Sequence, residues 1–367
     1  MSAVLDKPQT LFLRRALFQI HLWTGLAIGL WALGIGITGS ILVFHRQIDE
    51  AGLRAAAPAF SGTGQASAQA MLESVRKRFD KGIVVFRGPR EAGGAVVANV
   101  YTQSQGYQVL VNPHTAELLL VRGRQGTWLQ WTERFHSNLF LGRPGRVANG
   151  VGGLLLFLMV VTGLIIWWPG RTLWTRRLKV NFRAPWRVWN FDLHNAVGFW
   201  CLFYIALSAI TGAYFTWPQV YRGAISSLWP MSQRPPLRVE PAGDRKPMDE
   251  LLAAAEGAVP GLPVVRYEIP PDARQPVRVV KLEREPESQR NNVTVFVNPY
   301  TAAVMRVDRV SDGTLGDRLF SWIGPLHTGH FGPGIVALLW AVLGLSLPLL
   351  FLSGFLMWWN RVIARRL

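Results

Sequence analysis

Four long apolar segments constrain the fold of this 367-residue chain more than any other feature. A helix needs roughly 20 residues to cross the apolar core of a membrane, and each segment is at least close to that length. The first is too long for the apolar part of a signal peptide, so we expect a retained helix. The segments lie near 16–44, 147–168, 193–217 and 335–359.

The net charge of +17 is concentrated beside these apolar segments. Nucleic acid can attract such charge, but basic residues that flank spans are typical of the positive-inside rule. We therefore predict contact with membrane lipid and no nucleic-acid partner. The short link 169–192 is rich in Lys and Arg, and it predicts the cytoplasmic side. The same side then holds both termini, with their basic residues Arg14, Arg15, Arg361, Arg365 and Arg366.

The sequence repeats itself, which predicts two similar halves. His21-x-x-x-Gly25 recurs as His194-x-x-x-Gly198, and Thr38-Gly39 recurs at the same offset as Thr211-Gly212. The segment Val109–Thr115 (VLVNPHT) similarly matches Val295–Thr301 (VFVNPYT). The predicted fold class is a membrane α-helical protein, with four transmembrane helices in two tandem parallel repeats and two small outer α/β domains.

The repeat and the charges give a predicted order of segments. Residues 1–45 form the N-terminus and helix 1, and 136–168, 193–217 and 327–367 contain helices 2, 3 and 4. Residues 46–135 and 218–326 are the two outer domains, and 169–192 is the basic cytoplasmic loop. In the outer domains we expect helices at 67–79 and 248–258. We expect strands near 84–86, 95–101, 109–111, 118–121, 264–269, 277–282, 293–297 and 303–307.

Six of the seven histidines lie at ends of the apolar segments: His21, His45, His136, His194, His327 and His330. An ionisable side chain there is costly unless it has a partner or a role. The repeat pairs His21 with His194 at the inner side and His136 with His327 at the outer side. Pairs of histidines can ligate heme iron, so we predict two hemes at two depths. The alternative is a hydrogen bond to a lipid headgroup or a carbonyl.

The single cysteine, Cys201, excludes an intrachain disulfide and a Cys-x-x-Cys-His attachment site. Any heme is therefore predicted to be non-covalent heme b.

Three other histidines have less defined predictions. The position equivalent to His45 is Pro218, and His45 could replace an outer ligand, donate to a propionate or mark the interface. His330 could bind a second metal, line a substrate site or lie on the surface. His114 lies in a hairpin turn and is given no ligand role.

Several glycines, and several arginines on the outer side, each have two interpretations. Glycines could make room for a macrocycle or for close helix packing, and these are Gly25, Gly29, Gly39, Gly198 and Gly212. Arginines on the outer side could pair with propionates or extend their charge to the interface, and these are Arg46, Arg143 and Arg146.

Taken together, the His-x-x-x-Gly motif, the duplicated VNPxT hairpins, Leu326–Gly329 (LHTG) and the Trp-Trp segment ends resemble PepSY-associated transmembrane proteins. Within these, the chain is similar to iron-regulated membrane reductases of the ferrioxamine-reductase type. The resemblance implies two b-type hemes, periplasmic PepSY-like domains and a bacterial inner membrane. It also implies a heme-dependent oxidoreductase that reduces ferric siderophore and releases Fe(II).

The sequence contains no dinucleotide fingerprint after a strand, so we expect a separate electron donor, either a quinol or a cytoplasmic reductase. Two other functions stay open. One is a non-catalytic PepSY membrane module for peptidase inhibition or sensing, in which the histidines are structural. The other is a quinol-linked cytochrome with a different periplasmic acceptor.

Overall fold

The structure is a computed structural model that describes residues 12–56, 64–88, 94–124, 126–171, 173–288 and 290–362. The predicted basic residues Arg365 and Arg366 lie outside them. The chain divides into two compact units. The first, called the helical unit, contains the chain up to Phe44, Thr132–Ala224 and the chain from Ile323. The second, called the sheet unit, contains His45–Trp131 and Ile225–Trp322.

Helices make up the regular structure of the helical unit, apart from one short 3-10 turn (Arg176–Leu178). They are α1 (Phe12–Leu42), the end of α4 (Trp128–Asn138), α5 (Arg143–Trp167), α6 (Trp186–Trp200), α7 (Leu202–Tyr214), most of α8 (Pro218–Ser226), the end of α10 (Leu315–Thr328), α11 (Gly334–Gly344) and α12 (Ser346–Val362). Among the described residues, three stretches are long and apolar enough to cross a membrane: α1, α5 and Gly334–Val362.

The prediction of four transmembrane helices in two tandem repeats is wrong, and the third predicted helix is where it fails. Helices α6 and α7 are bent by 61° at the break, where Cys201 stands, so this segment is a broken span and not one straight helix. Hydropathy cannot reveal the bend, because the apolar run is continuous and no proline stands there. The described residues therefore contain three candidate spans, or four if the bent pair is counted as one.

The last span has a milder interruption with a clear cause. Helices α11 and α12 meet at Leu345, three residues before Pro348. A proline lacks a backbone N–H, and its ring crowds the carbonyl four residues earlier, here that of Gly344. That carbonyl faces α1, where a Cβ built on Gly36 would lie 2.8 Å from its oxygen. Glycine at position 36 therefore permits a close crossing of the two helices.

In the sheet unit, two groups of four strands join edge to edge in one antiparallel sheet. The strands are β1 (Ile83–Arg87), β2 (Val96–Tyr101), β3 (Gly106–Val111), β4 (Leu118–Gly123), β5 (Val264–Ile269), β6 (Val277–Leu282), β7 (Asn292–Val297) and β8 (Val304–Arg309). Their order is β4-β3-β2-β1-β5-β6-β7-β8. The central pair aligns Val84 with Ile269 and Phe86 with Tyr267.

This pairing corrects the second part of the predicted fold. The two outer segments were expected to form two small α/β domains, but their strands build one large eight-stranded sheet. The individual strands lie within a few residues of their predicted positions. The pairing of β1 with β5 joins segments that are far apart in the chain, and no local pattern reports such a pairing.

Alternation along the strands defines the core of the sheet unit. Alternate residues of each inner strand, such as Val84 and Phe86 in β1 or Val277 and Val279 in β6, are buried on one face. Two helices cover that face, α3 (Ala68–Arg78) and α9 (Met248–Ala258). The sheet unit also contains α2 (His45–Ala56) and the first parts of α4 and α10. The period of two is what a sheet with one covered face requires.

Asp249 connects the two covering helices. Its carboxylate accepts from the backbone N–H of Ala68 at 2.9 Å and of Gln69 at 3.0 Å, at the first turn of α3. Gln69 in turn accepts from the N–H of Met248 at 2.9 Å. These are N–H groups that a helix start leaves without partners in the helix itself. A negative charge at this end is also favoured by the helix dipole.

We expect Asp249→Ala to destabilise the sheet unit by about 1–2 kcal/mol, the cost of losing a helix cap. The measurement is thermal or urea unfolding of the full chain in detergent, followed by circular dichroism. Asp244→Ala removes an exposed carboxylate nearby in the sequence and serves as the control. Equal stability of the two variants would show that Asp249 does not fix α3.

Candidate functional site

The inner histidine of the first half lies between two helices. His21 on α1 places its Nδ1 3.0 Å from the hydroxyl oxygen of Thr162 on α5. The next residue is Gly163, and a Cβ built there would lie 3.0 Å from Cε1 of His21. The hydroxyl therefore meets one ring nitrogen, and the missing side chain leaves room for the ring. We call this pair of residues, a hydroxyl residue followed by glycine, a cradle.

The same cradle occurs four times, once for each predicted ligand. Each of the four imidazoles meets a Ser or Thr hydroxyl through Nδ1, and a glycine follows that residue. The Nδ1–oxygen distances are 3.0 Å for His21–Thr162, 2.9 Å for His194–Ser353, 3.1 Å for His136–Thr38 and 3.1 Å for His327–Thr211. A Cβ on Gly163, Gly354, Gly39 or Gly212 would lie between 2.9 and 3.2 Å from the Cε1 of its histidine.

The hydroxyl groups define which nitrogen carries the proton. Each hydroxyl donates its single proton to the carbonyl four residues earlier in its own helix, at 2.7 or 2.8 Å. It can therefore meet histidine only as an acceptor, so Nδ1 is the protonated nitrogen. Nε2 then keeps its lone pair. No side-chain hydrogen bond reaches Nε2 of these four histidines within the described residues. A neutral imidazole held in this way is a ready metal ligand.

His136 and His327 lie close to each other in the helical unit. Their ring centroids are 6.2 Å apart, with 49° between the ring planes. Histidine nitrogens bind a metal such as zinc at about 2.0–2.1 Å, so rings at this separation lie within reach of one shared metal ion.

His21 and His194 line one cavity of about 1440 Å³ in the helical unit. Its walls are mainly apolar and aromatic, with Phe351 and Trp358 among them. Ligand cavities are typically about 300–1,000 Å³, so this space could take a large flat group. The glycines that line it are Gly25, Gly29, Gly163, Gly198 and Gly354.

Arginines line part of this cavity, whereas none of its described lining residues is Asp or Glu. The arginines are Arg14, Arg15, Arg177, Arg187 and Arg361. Arg14 donates to the carbonyl of Ile166, and Arg177 donates to that of Trp167 at 3.0 Å. Burial, and after it the positive charge of Arg14, lowers the pKa of Arg177, while Asp192 opposes this. Positive charges held together in this way favour an anionic group.

The other histidines have different surroundings. His45 is the first residue of α2 and belongs to the sheet unit, whereas the four cradled histidines belong to the helical unit. His114 lies in the β3–β4 turn, where its Nδ1 meets the carbonyl oxygen of Gly64. His330 follows α10, and its backbone N–H donates to Pro325. No cluster of three or more His, Cys, Asp or Glu exists among the described residues.

Sequence reasoning missed Thr162 and Ser353. The signal was present, because a Thr or Ser directly before Gly occurs at all four cradles. The glycines that the sequence singled out have different neighbours in the structure. Gly39 and Gly212 make room for histidine rings, and a Cβ on Gly25 would lie 3.0 Å from Met159. Arg46, considered as a propionate partner, forms an ion pair with Glu287 at 3.2 Å.

Loss of one cradle hydroxyl should be measurable. Thr38→Val keeps the shape but leaves Nδ1–H of His136 without its acceptor, which costs about 1–3 kcal/mol in a buried position. Thr38→Ser keeps the hydroxyl and is the matched control. Thermal unfolding in detergent compares the two. A serine variant as unstable as the valine variant would show that the methyl group, and not the hydrogen bond, matters.

The apolar spans are those of a membrane protein, and its helical unit holds two pairs of cradled histidines. The chain belongs to the family described as the PepSY-associated TM region, whose family model matches residues 18–361. An uncharacterized protein of Pseudomonas aeruginosa is 28% identical over 263 residues, and this match covers 62% of each chain. The alignment thus spans less than two thirds of that relative.

Proposed function

We propose that this protein is a di-heme b-type reductase of the bacterial inner membrane that transfers electrons to a periplasmic ferric siderophore. The observation that supports this most is the fourfold cradle, which leaves Nε2 of each imidazole available for metal. His21 and His194 would hold the inner heme, and His136 and His327 the outer heme. Histidine imidazoles are established ligands of heme iron, so these residues would hold the cofactor.

The spacing of the two sites suits transfer across a membrane. His21 and Thr38 lie on the single helix α1. At 1.5 Å per residue, the rise between them is about 25 Å. The apolar core of a bilayer is about 30 Å thick, so the two sites would lie near its opposite sides. One electron carrier at each side is what a transmembrane reductase requires.

The chain's own residues hold, orient and enclose these sites. The hydroxyl groups fix the rotation of each imidazole and direct Nε2 away from the cradle. Aromatic and aliphatic walls exclude water around His21 and His194, and the arginines of the cavity would bind the carboxylates of the cofactor. Heme, when bound, supplies reversible one-electron chemistry. The potential of each site is then set by ligands, hydrogen bonds and burial.

The substrate follows from the family resemblance and from the type of chemistry. Siderophores hold Fe(III) more tightly than Fe(II), so addition of one electron would loosen the metal. No acid–base group is required at the iron. The donor would be a separate quinol or cytoplasmic reductase that delivers electrons at the His21–His194 side. In this arrangement both termini are cytoplasmic.

The first experiment counts the cofactor. Protein expressed with adequate heme supply and purified in mild detergent should bind about two hemes b per chain by the pyridine hemochrome method, with split reduced α bands. A value near one would leave only one histidine pair as ligands. Absence of heme would refute the proposal and favour a non-catalytic membrane module.

The second experiment tests the pairing. We expect His21→Ala and His194→Ala to remove the same spectral component, and His136→Ala and His327→Ala to remove the other, because both ligands are needed to keep a low-spin iron. The four variants should also reduce ferric siderophore at least about tenfold more slowly in reconstituted vesicles, as expected when a redox carrier is lost.

His114→Ala is the control, because its ring lies in a hairpin of the sheet unit. His45→Ala decides whether the start of α2 supplies an outer ligand. Loss of the outer component in His45→Ala, with retention in His136→Ala or His327→Ala, would contradict the assignment. Unchanged reduction of quinone analogues or copper with no reduction of ferric siderophores would point to another acceptor.

A further inference from the structure

The helix ends that carry the two outer histidines have unusual partners. His136 lies in the last turn of α4 and His327 in the last turn of α10. The last carbonyls of a helix have no N–H partner within the helix and must find one elsewhere. In each half, a side chain from another helix donates to such a carbonyl at or beside the histidine.

In the first half, a chain of two hydrogen bonds reaches the carbonyl of His136. Nε1–H of Trp31 on α1 donates to Oδ1 of Asn149 on α5 at 2.8 Å. Nδ2–H of Asn149 then donates to the carbonyl oxygen of His136 at 2.8 Å. The indole ring packs closely on α5 over Gly152, where a Cβ would lie 2.7 Å from Cε2 of Trp31.

In the second half, different residues stand at the equivalent positions, and one of them also donates to the last turn of the helix that carries the outer histidine. Tyr204 stands ten residues after His194, as Trp31 stands ten after His21. Trp340 occupies the place of Asn149, and its Nε1–H donates at 2.8 Å to the carbonyl of Leu326, which directly precedes His327. Tyr204 contacts Trp340 edge to face, with centroids 5.5 Å apart.

We infer that Asn149, supported by Trp31, and Trp340, supported by Tyr204, are positioning residues for the outer histidine pair. They complete the last turn of the helices that carry His136 and His327, and so they set the orientation of both imidazoles. We call each of these residue pairs a clamp. The two clamps differ chemically, so the two outer ligands are inequivalent. This inference rests on the proposed function, because its readout is the outer heme.

The test removes the side-chain donors, and the tryptophan variants keep an aromatic ring. Trp340→Phe deletes the donor to Leu326, and Asn149→Ala deletes the donor to His136. Trp31→Phe leaves Asn149 in contact with His136 and should have a smaller effect. Trp200→Phe is the matched control, because its indole donates at 3.1 Å to the carbonyl of Leu178, in the 3-10 turn that precedes α6.

The readouts are heme content, the low-temperature EPR spectrum of the oxidised protein and a potentiometric titration of both components. We expect Trp340→Phe and Asn149→Ala to shift the EPR signal and midpoint potential of the outer component only. Its heme affinity should fall about tenfold or more, as for other outer-sphere partners of metal ligands. Trp200→Phe should change neither component.

Unchanged outer signals in both variants, with two hemes bound, would overturn the inference and leave the proposed function intact. So would equal shifts of the inner and outer components, because these would indicate a general loosening of the fold. Absence of heme in the unmodified protein would instead refute the proposed function, and the clamps with it.

Discussion

The site depends on one kind of hydrogen bond, which Nδ1–H of a histidine donates to a hydroxyl oxygen. That hydroxyl has already donated its own proton to a carbonyl of its helix. Thr38, Thr162, Thr211 and Ser353 each make this arrangement. In an apolar surrounding an unpaired imidazole N–H is costly, so the geometry selects one tautomer and one ring rotation. The glycine that follows each hydroxyl is needed as well, because a side chain there would occupy the space of the ring.

Single helices and strands could be predicted well from the sequence, because their signals are local. Helix α9 has the bounds that the apolar pattern predicts, Met248–Ala258, and β5 and β6 match in the same way. The bend at Cys201 and the pairing of β1 with β5 were missed, since neither leaves a local trace in hydropathy or turn residues. For the site, the repeat alone paired His136 with His327, and the structure places their rings 6.2 Å apart. Heme ligation by these residues stays a prediction.

The sequence repeat includes the cradles of both halves, yet the residues around these cradles differ. The carbonyl near one outer histidine is bound by an amide, and the carbonyl near the other by an indole. In the sheet unit, β1 and β5 pair with each other and with their own neighbours, so both halves share one sheet. A sheet that both halves share has two fewer exposed edges than two separate sheets, which reduces the risk of edge-to-edge association.

The bend between α6 and α7 has a consequence for symmetry inside the helical unit. In the first half, His21 and the Thr38 cradle lie on one continuous helix, so their relative direction is set by α1 alone. In the second half, His194 and the Thr211 cradle lie on helices that differ in direction by 61°. The inner and outer sites of the two halves therefore cannot obey one strict twofold axis. It is the support residues, an amide donor in one half and an indole donor in the other, more than the ligands, that distinguish the two halves.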